Sequence, residues 1–260
     1  MPFSLSRCVD ALKARRNSGS SWTRWTVQRL ERAHLWLVEA RDALSDPMRR
    51  SFIPLRIFQG QRLHQASGDT AMDRFPEIFS ACRDLLRGRT ELNILSFGCS
   101  TGEEVLTLRH YFPEASITGA DINARSLALC RGLPVDERIH FIHSDRNAIE
   151  RIGPFDAIFC LAVLQRHPSR LIRDPPANLR RTYPFARFDE QMKDFDRWAK
   201  PRGLLAFYGT AYPLSESSVA RNWEAVRLPS ELPADGPKYD RFERPLEGRA
   251  EVGGIFRKIR

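Results

Sequence analysis

NILSFGCSTGEE, residues 93 to 104, is the stretch from which the rest of the chain can be read. Ile94 to Phe97 form a short apolar run that ends in Gly98-Cys99-Ser100-Thr101-Gly102 and then turns acidic at Glu103 and Glu104. The pattern predicts a buried strand, a tight turn and a helix start. Its glycines let backbone approach a ligand closely, and the unpaired N–H groups of a helix N-terminus suit a polar or anionic group there. Gly98, Cys99, Ser100 and Gly102 are therefore expected to form a ligand loop.

Other catalogued motifs compete for the same letters. Gly98-x-Ser100-x-Gly102 also spells a nucleophile elbow, which needs an acid and then a histidine downstream. His167 is the last histidine, and residues 168 to 260 contain none. A dinucleotide fingerprint would need glycines at Ser100 and Glu103, and a phosphate loop would need a Gly-Lys-Ser/Thr ending; neither is present.

Working outward, a helix is expected from Phe75 to Leu86, with Phe75, Ile78, Phe79, Cys82, Leu85 and Leu86 inward and Gly88 as its stop. Downstream, strands at 93–97, 116–120, 139–143, 155–160 and 204–208 alternate with helices at 102–111 and 124–131. Alternation of this kind implies right-handed crossovers and a mostly parallel α/β sheet, with the first strand central and its loop at the carboxyl edge. Segments 223–228 and 254–259 suit a terminal antiparallel ribbon. Residues 165 to 183, rich in proline and arginine, break the rhythm as a long loop of the kind that carries specificity. Phe188, Met192, Phe195 and Trp198 share one helical stripe, read as core packing.

The N-terminal part reads differently. Ser21 to Leu44 has helical spacing, Asp46-Pro47 reads as its stop, and Phe52 to Arg62 mixes apolar and basic residues without a clear period, as a cap over the site. The expected division is a helical cap or extension over 1–89 and an α/β domain over 90–260.

Composition bounds the function. With 260 residues and 42% hydrophobic content the chain can bury a proper core. No run approaches the ~18 apolar residues of a membrane span, and no apolar signal core opens the sequence. Five scattered cysteines without a C-x-x-C pair point to a reducing, cytoplasmic setting, and no spacing suggests a metal site. The net charge is +9, and residues 1–60 hold 11 Arg or Lys against 5 Asp or Glu. Only five of the basic residues are lysine, and guanidinium suits capture of phosphate or carboxylate. The basic N-terminal region thus keeps nucleic acid open as a partner.

Three strand ends together describe an adenosine. Asp121, closing Gly119-Ala120-Asp121, can accept both hydroxyls of a ribose. Asp145, Arg146 and Asn147, at the third strand end, can meet the amine and ring edge of a purine while Ile122 covers its face. Leu161, after the fourth strand, would border the reacting end of the ligand.

With these motifs in order, residues 90 to 210 resemble a class I S-adenosylmethionine-dependent methyltransferase. More narrowly, SFGCSTGEE and GPFDAIFC resemble segments of the chemotaxis-receptor glutamate (CheR-type) methyltransferases, as does Thr70-x-x-x-Arg74 ahead of Phe75 and Phe79. The resemblance implies a Rossmann-like, seven-stranded sheet and S-adenosylmethionine as cofactor. It assigns Thr70, Arg74 and Glu104 to the methionine part and Asp121 to the ribose. The sequence departs from that family after the fourth strand, where Leu161 and Ala162 stand in place of Arg-Asn.

A sulfonium already activates its methyl group, so the protein's task is to align acceptor, carbon and sulfur, with a base only where the acceptor must lose a proton. His167 and Tyr208 are the candidate bases, with His64 a weaker one; Cys160, at the end of an apolar strand, should be inert. A small-molecule acceptor is favoured, ahead of tRNA or rRNA and then a protein carboxylate. The alternative of another class is a cofactor-binding protein without transferase activity.

Overall fold

The computed structural model describes residues 46–166, 171–172, 175–227, 236–247 and 253–260. By compactness the chain divides into Met1–Arg50 and Ser51–Arg260. The helix Pro76–Leu85 has Ile78, Phe79 and Cys82 buried in the same core as the sheet. The helix expected over 21–44 lies outside the described residues.

In chain order the elements are α1 (Pro47–Phe58), α2 (Pro76–Leu85), β1 (Asn93–Phe97), α3 (Glu103–Tyr111), β2 (Ser116–Asp121), α4 (Ala124–Cys130) and β3 (Ile139–His143). There follow α5 (Arg146–Ile152), β4 (Phe155–Leu161), α6 (Phe185–Trp198), β5 (Ala199–Tyr208), β6 (Trp223–Arg227) and β7 (Gly254–Lys258). The strands form one seven-stranded sheet in the order β3-β2-β1-β4-β5-β7-β6. Strands β1 to β5 pair parallel, while β7 runs antiparallel to β5 and to β6. The sheet is thus of the Rossmann-like, mostly parallel kind, and the terminal ribbon joins it through β7.

Strand periodicity explains the layering. Successive side chains of a strand point to opposite faces, and a parallel sheet covered on both sides is apolar throughout. Ile94, Ala157 and Phe159 face α2, α3 and α4 in one core, with Val105, Leu108 and Leu127. Leu95, Phe97, Ile158 and Cys160 face the other core, where Phe188, Met192, Phe195 and Trp198 of α6 pack. The aromatic stripe of α6 is core, as its spacing implies.

Three stretches differ in part from the expectation. Asp46-Pro47 starts a helix, while the one it was expected to stop lies outside the described residues: the Met48 N–H donates to the Asp46 carboxylate at 2.8 Å, and Pro47 occupies the first turn, where its missing N–H costs nothing. Residues 52–58, read as lacking a period, continue that helix with Phe52 and Leu55 buried and Pro54 inside it. Strand β5 begins at Ala199, so Pro201-Arg202-Gly203 lies within it, at an irregular register against β4. A further helix, α5, was not anticipated; Asp145 caps it by accepting the N–H groups of Asn147 and Ala148.

Gly119 fixes how closely the central strands and α3 approach. A Cβ there would lie 2.8 Å from Val105, 2.9 Å from the Phe141 ring and 3.1 Å from the Cys99 sulfur. Overpacking a filled core costs about 1–3 kcal/mol. Gly119→Ala is therefore expected to lower unfolding free energy by about that amount in urea denaturation, with the slope unchanged; an unaltered midpoint would contradict this packing.

Candidate functional site

The turn after β1 is wound left-handed at alternate residues, with φ of 83° at Gly98, 49° at Ser100 and 100° at Gly102. Serine rarely adopts such a conformation, so the surrounding structure must impose it. The N–H groups of Gly98 and Cys99 donate to the Ala120 carbonyl at 2.7 and 3.1 Å. The Ser100 N–H donates to the Asp121 carboxylate at 2.9 Å, and the other carboxylate oxygen accepts the Asn123 N–H at 2.7 Å. Burial pushes the Asp121 pKa up, and these backbone N–H bonds pull it back. The Ser100 hydroxyl donates to the Gly68 carbonyl at 2.7 Å, which ties the 67–70 segment to the loop.

These elements border a cavity of about 710 Å³, within the roughly 300–1,000 Å³ range of ligand pockets. Thr70, Arg74, Gly98, Ser100, Glu104, Asp121, Ile122, Asp145, Arg146, Asn147 and Leu161 all line it. Two of the expected loop contacts do not. The Cys99 side chain points into the core, and Gly102 serves as the left-handed cap of α3.

An acid, Glu104, and a guanidinium, Arg74, both line the cavity and interact electrostatically. The Ser96 hydroxyl donates to the Glu104 carboxylate at 2.7 Å. Burial raises the Glu104 pKa from the ordinary 4.5 to about 7, against the pull of the Ser96 hydrogen bond and the Arg74 charge. Arg74 is exposed, donates to the Asp69 carbonyl at 3.2 Å and stands 5.1 Å over the Phe75 ring. A guanidinium and a carboxyl across one cavity match the two charges of an amino-acid group.

The expected bases fare differently. His167 lies outside the described residues. Tyr208 is buried on β5 with its ring edge-on at 5.0 Å to Phe75, a residue of the cavity wall. His64, the weaker candidate, does line the cavity. Its Nδ1 lies 2.7 Å from the Tyr183 hydroxyl and its Nε2 3.2 Å from the Gln191 Oε1. Burial, then the nearby Arg187 and Arg166 charges, drive its pKa down to about 3. It is neutral across the physiological range, with Nε2–H donating to Gln191 and Nδ1 accepting from Tyr183.

Helix α6 supplies wall residues that sequence reasoning did not single out, Arg187, Glu190, Gln191 and Asp194, next to Trp198 of the aromatic stripe. Their spacing of three and four residues is a second stripe beside the aromatic one, and that is the signal that could have revealed them. Two cavity arginines are already paired. Arg146 donates to Asp194 at 2.9 Å and approaches Glu190 at 3.7 Å, and Arg62 approaches Asp145 at 3.6 Å.

A family model described as a methyltransferase domain matches residues 94–181, from β1 to the segment before α6. An uncharacterized protein of Synechococcus sp. is 32% identical over 110 residues, covering 40% of this chain and 25% of that protein. The chain thus spans about a quarter of the length of the curated relative it matches. Among solved structures, the plantazolicin methyltransferase BpumL, in complex with a triazolic desmethyl analog and SAH, is 18% identical over 64% of this chain and 54% of its own, with a TM-score of 0.38. SAM-bound CalS10, an amino pentose methyltransferase from Micromonospora echinaspora, is 21% identical over 53% of this chain and 50% of its own, also with a TM-score of 0.38. Residues 94–181 are thus similar to a methyltransferase domain, and they lie within the seven-stranded sheet. No described helix is long and apolar enough to cross a membrane.

Glu104 gives the site a measurable pH signature. Its carboxyl keeps a proton in the folded state that the unfolded chain gives up near pH 4.5, so between there and about 7 folding stability falls as pH rises. Glu104→Gln removes that loss while retaining an acceptor for Ser96. The variant should gain stability over wild type between pH 5 and pH 8, by on the order of 1–2 kcal/mol after discounting for partial exposure. A gap that stays constant with pH in denaturant titrations would contradict the buried, protonated carboxyl.

Proposed function

We propose that this chain is an S-adenosylmethionine-dependent methyltransferase acting on a small-molecule nucleophile. The observation that carries the reading is one cavity lined both by the electrostatically coupled Arg74 and Glu104 and by the strand-end residues Asp121, Ile122, Asp145 and Asn147. The residues fit the cofactor. Arg74 suits the methionine carboxylate, Glu104 its ammonium, and Asp121 retains acceptor capacity for ribose hydroxyls beside its two backbone donors. Thr70 joins Arg74 and Glu104 in this role, as in the glutamate methyltransferases that the segment resembles. The apolar Leu161 and Ala162 after β4 favour a different acceptor from theirs.

When bound, S-adenosylmethionine would supply a methyl carbon activated by its sulfonium, with the sulfur as leaving group. The chain's residues bind and orient. Holding the reactants in line is the main source of rate, and an acceptor that is already deprotonated or is an amine needs no base from the protein. His64 suits such a task poorly: its Nδ1 lone pair is occupied by the Tyr183 hydroxyl, and its neutral ring has a very low basicity.

Calorimetric titration with S-adenosylmethionine and S-adenosylhomocysteine tests the reading. Wild type should bind both, and Arg74→Ala, an exposed position, should bind at least about tenfold more weakly through loss of a charged pair. Absence of binding to either ligand, or equal affinity in wild type and Arg74→Ala, would count against it.

A further inference from the structure

The wall formed by His64, Gln191 and Arg187 has polar groups that the fold itself leaves unanswered. Gln191 is only 8% exposed, yet among the described residues its Nε2 has no hydrogen-bond partner. Exchanging the amide's two ends would leave the oxygen orphaned instead, so one head lacks a partner in either orientation. Leaving a buried polar group unpaired costs about 1–3 kcal/mol, which a folded chain tolerates where a ligand completes the set.

Arg187 stands beside it, at the cavity wall, with its Nε also buried and unpartnered. Its other nitrogens donate to the Leu63 carbonyl at 3.4 Å and the Gln61 side chain at 3.2 Å. Arg166 donates to the same Leu63 carbonyl at 2.5 Å. Two guanidinium groups therefore converge on one oxygen, and among the described residues no carboxylate acts on either. Burial, reinforced by their mutual repulsion, lowers the pKa of Arg166; burial lowers that of Arg187. The contrast with the other cavity arginines is sharp, since Arg146 and Arg62 each have an acid beside them. A purely structural clamp of residues 61–66 would explain the bonds to Leu63, but not the orphaned Nε of Arg187 or the orphaned amide of Gln191.

We infer that this wall is the acceptor subsite and that the acceptor carries an anionic group, a carboxylate or a phosphate. Arg187, which lines the cavity, holds that anion, Arg166 adds its charge from behind through the shared Leu63 carbonyl, and the Gln191 amide bonds a neighbouring polar group. The assignment rests on the methyltransferase reading for its role as acceptor site. Planar guanidinium donors suit both anions, and a charged anchor next to the apolar Leu161, Ala162 and Val163 would hold the reacting part of the molecule against one face of the cavity.

The test uses inorganic phosphate as probe on the full chain, by calorimetry, with and without saturating S-adenosylhomocysteine. Wild type should bind phosphate saturably in both conditions, and Arg187→Gln should bind it about tenfold more weakly. Arg166→Gln should weaken it as well and decides the matter if the first variant does not fold. Arg138→Gln, at a surface pair with Glu114, should leave it unchanged. No saturable binding, equal affinity in the folded variants, or complete displacement of phosphate by S-adenosylhomocysteine would overturn the subsite. Phosphate binding without any binding of S-adenosylhomocysteine would instead overturn the reading on which its role rests, leaving the anion site in place.

Discussion

The carboxylate of Asp121 is the interaction on which the site depends. It sits at the end of β2 and holds the Ser100 N–H of the neighbouring turn, while its own following residue, Asn123, donates to the second oxygen. Without that acceptor the left-handed Ser100 would have no partner for its N–H, and nothing would offset the backbone strain. Once the turn is fixed, the rest follows in order. Ser100 reaches back to Gly68, Gly102 starts α3, and α3 carries Glu104 to the cavity one turn later. One buried acid thus registers the cofactor loop, the approach segment and the helix against one another.

The same geometry explains why the charges in the cavity are uneven. A carboxyl placed under the turn loses most of its water, which is why Glu104 holds its proton up to about 7. His64 pays a similar penalty with the opposite sign and stays neutral. A site with a protonatable acid at one end and unneutralised guanidinium groups at another favours ligands that bring both a cation and anions, as an amino-acid sulfonium and an anionic acceptor would.

Much of this was legible in the sequence, and the reasons are local. Strand β1 and the turn after it announce themselves because an apolar run, a glycine pair and an acidic helix start coincide within twelve residues. The strand-end acids Asp121 and Asp145 follow from regular alternation, and both reach the cavity. The helix start at Asp46-Pro47 was not legible because the same dipeptide can end one helix or cap the next, and only the following chain shows the second role. The polar stripe of α6 was hidden by the stronger aromatic stripe beside it. A strand end alone does not say which way the last side chain points; the Tyr208 ring packs against Phe75. His64 could not be placed from sequence at all, since its partners Tyr183 and Gln191 lie more than a hundred residues away.

The central claim is that Glu104 meets the ammonium of a bound amino-acid group. Carbon-13 detection of the Glu104 carboxyl through a pH titration, with and without S-adenosylhomocysteine, tests it most directly. The account predicts a midpoint of about 7 in the free protein and a fall of at least ~1 unit in the complex, because an adjacent cation favours the ionised form. A midpoint near the ordinary carboxylate range in the free protein, or one that the ligand leaves unmoved, would contradict it.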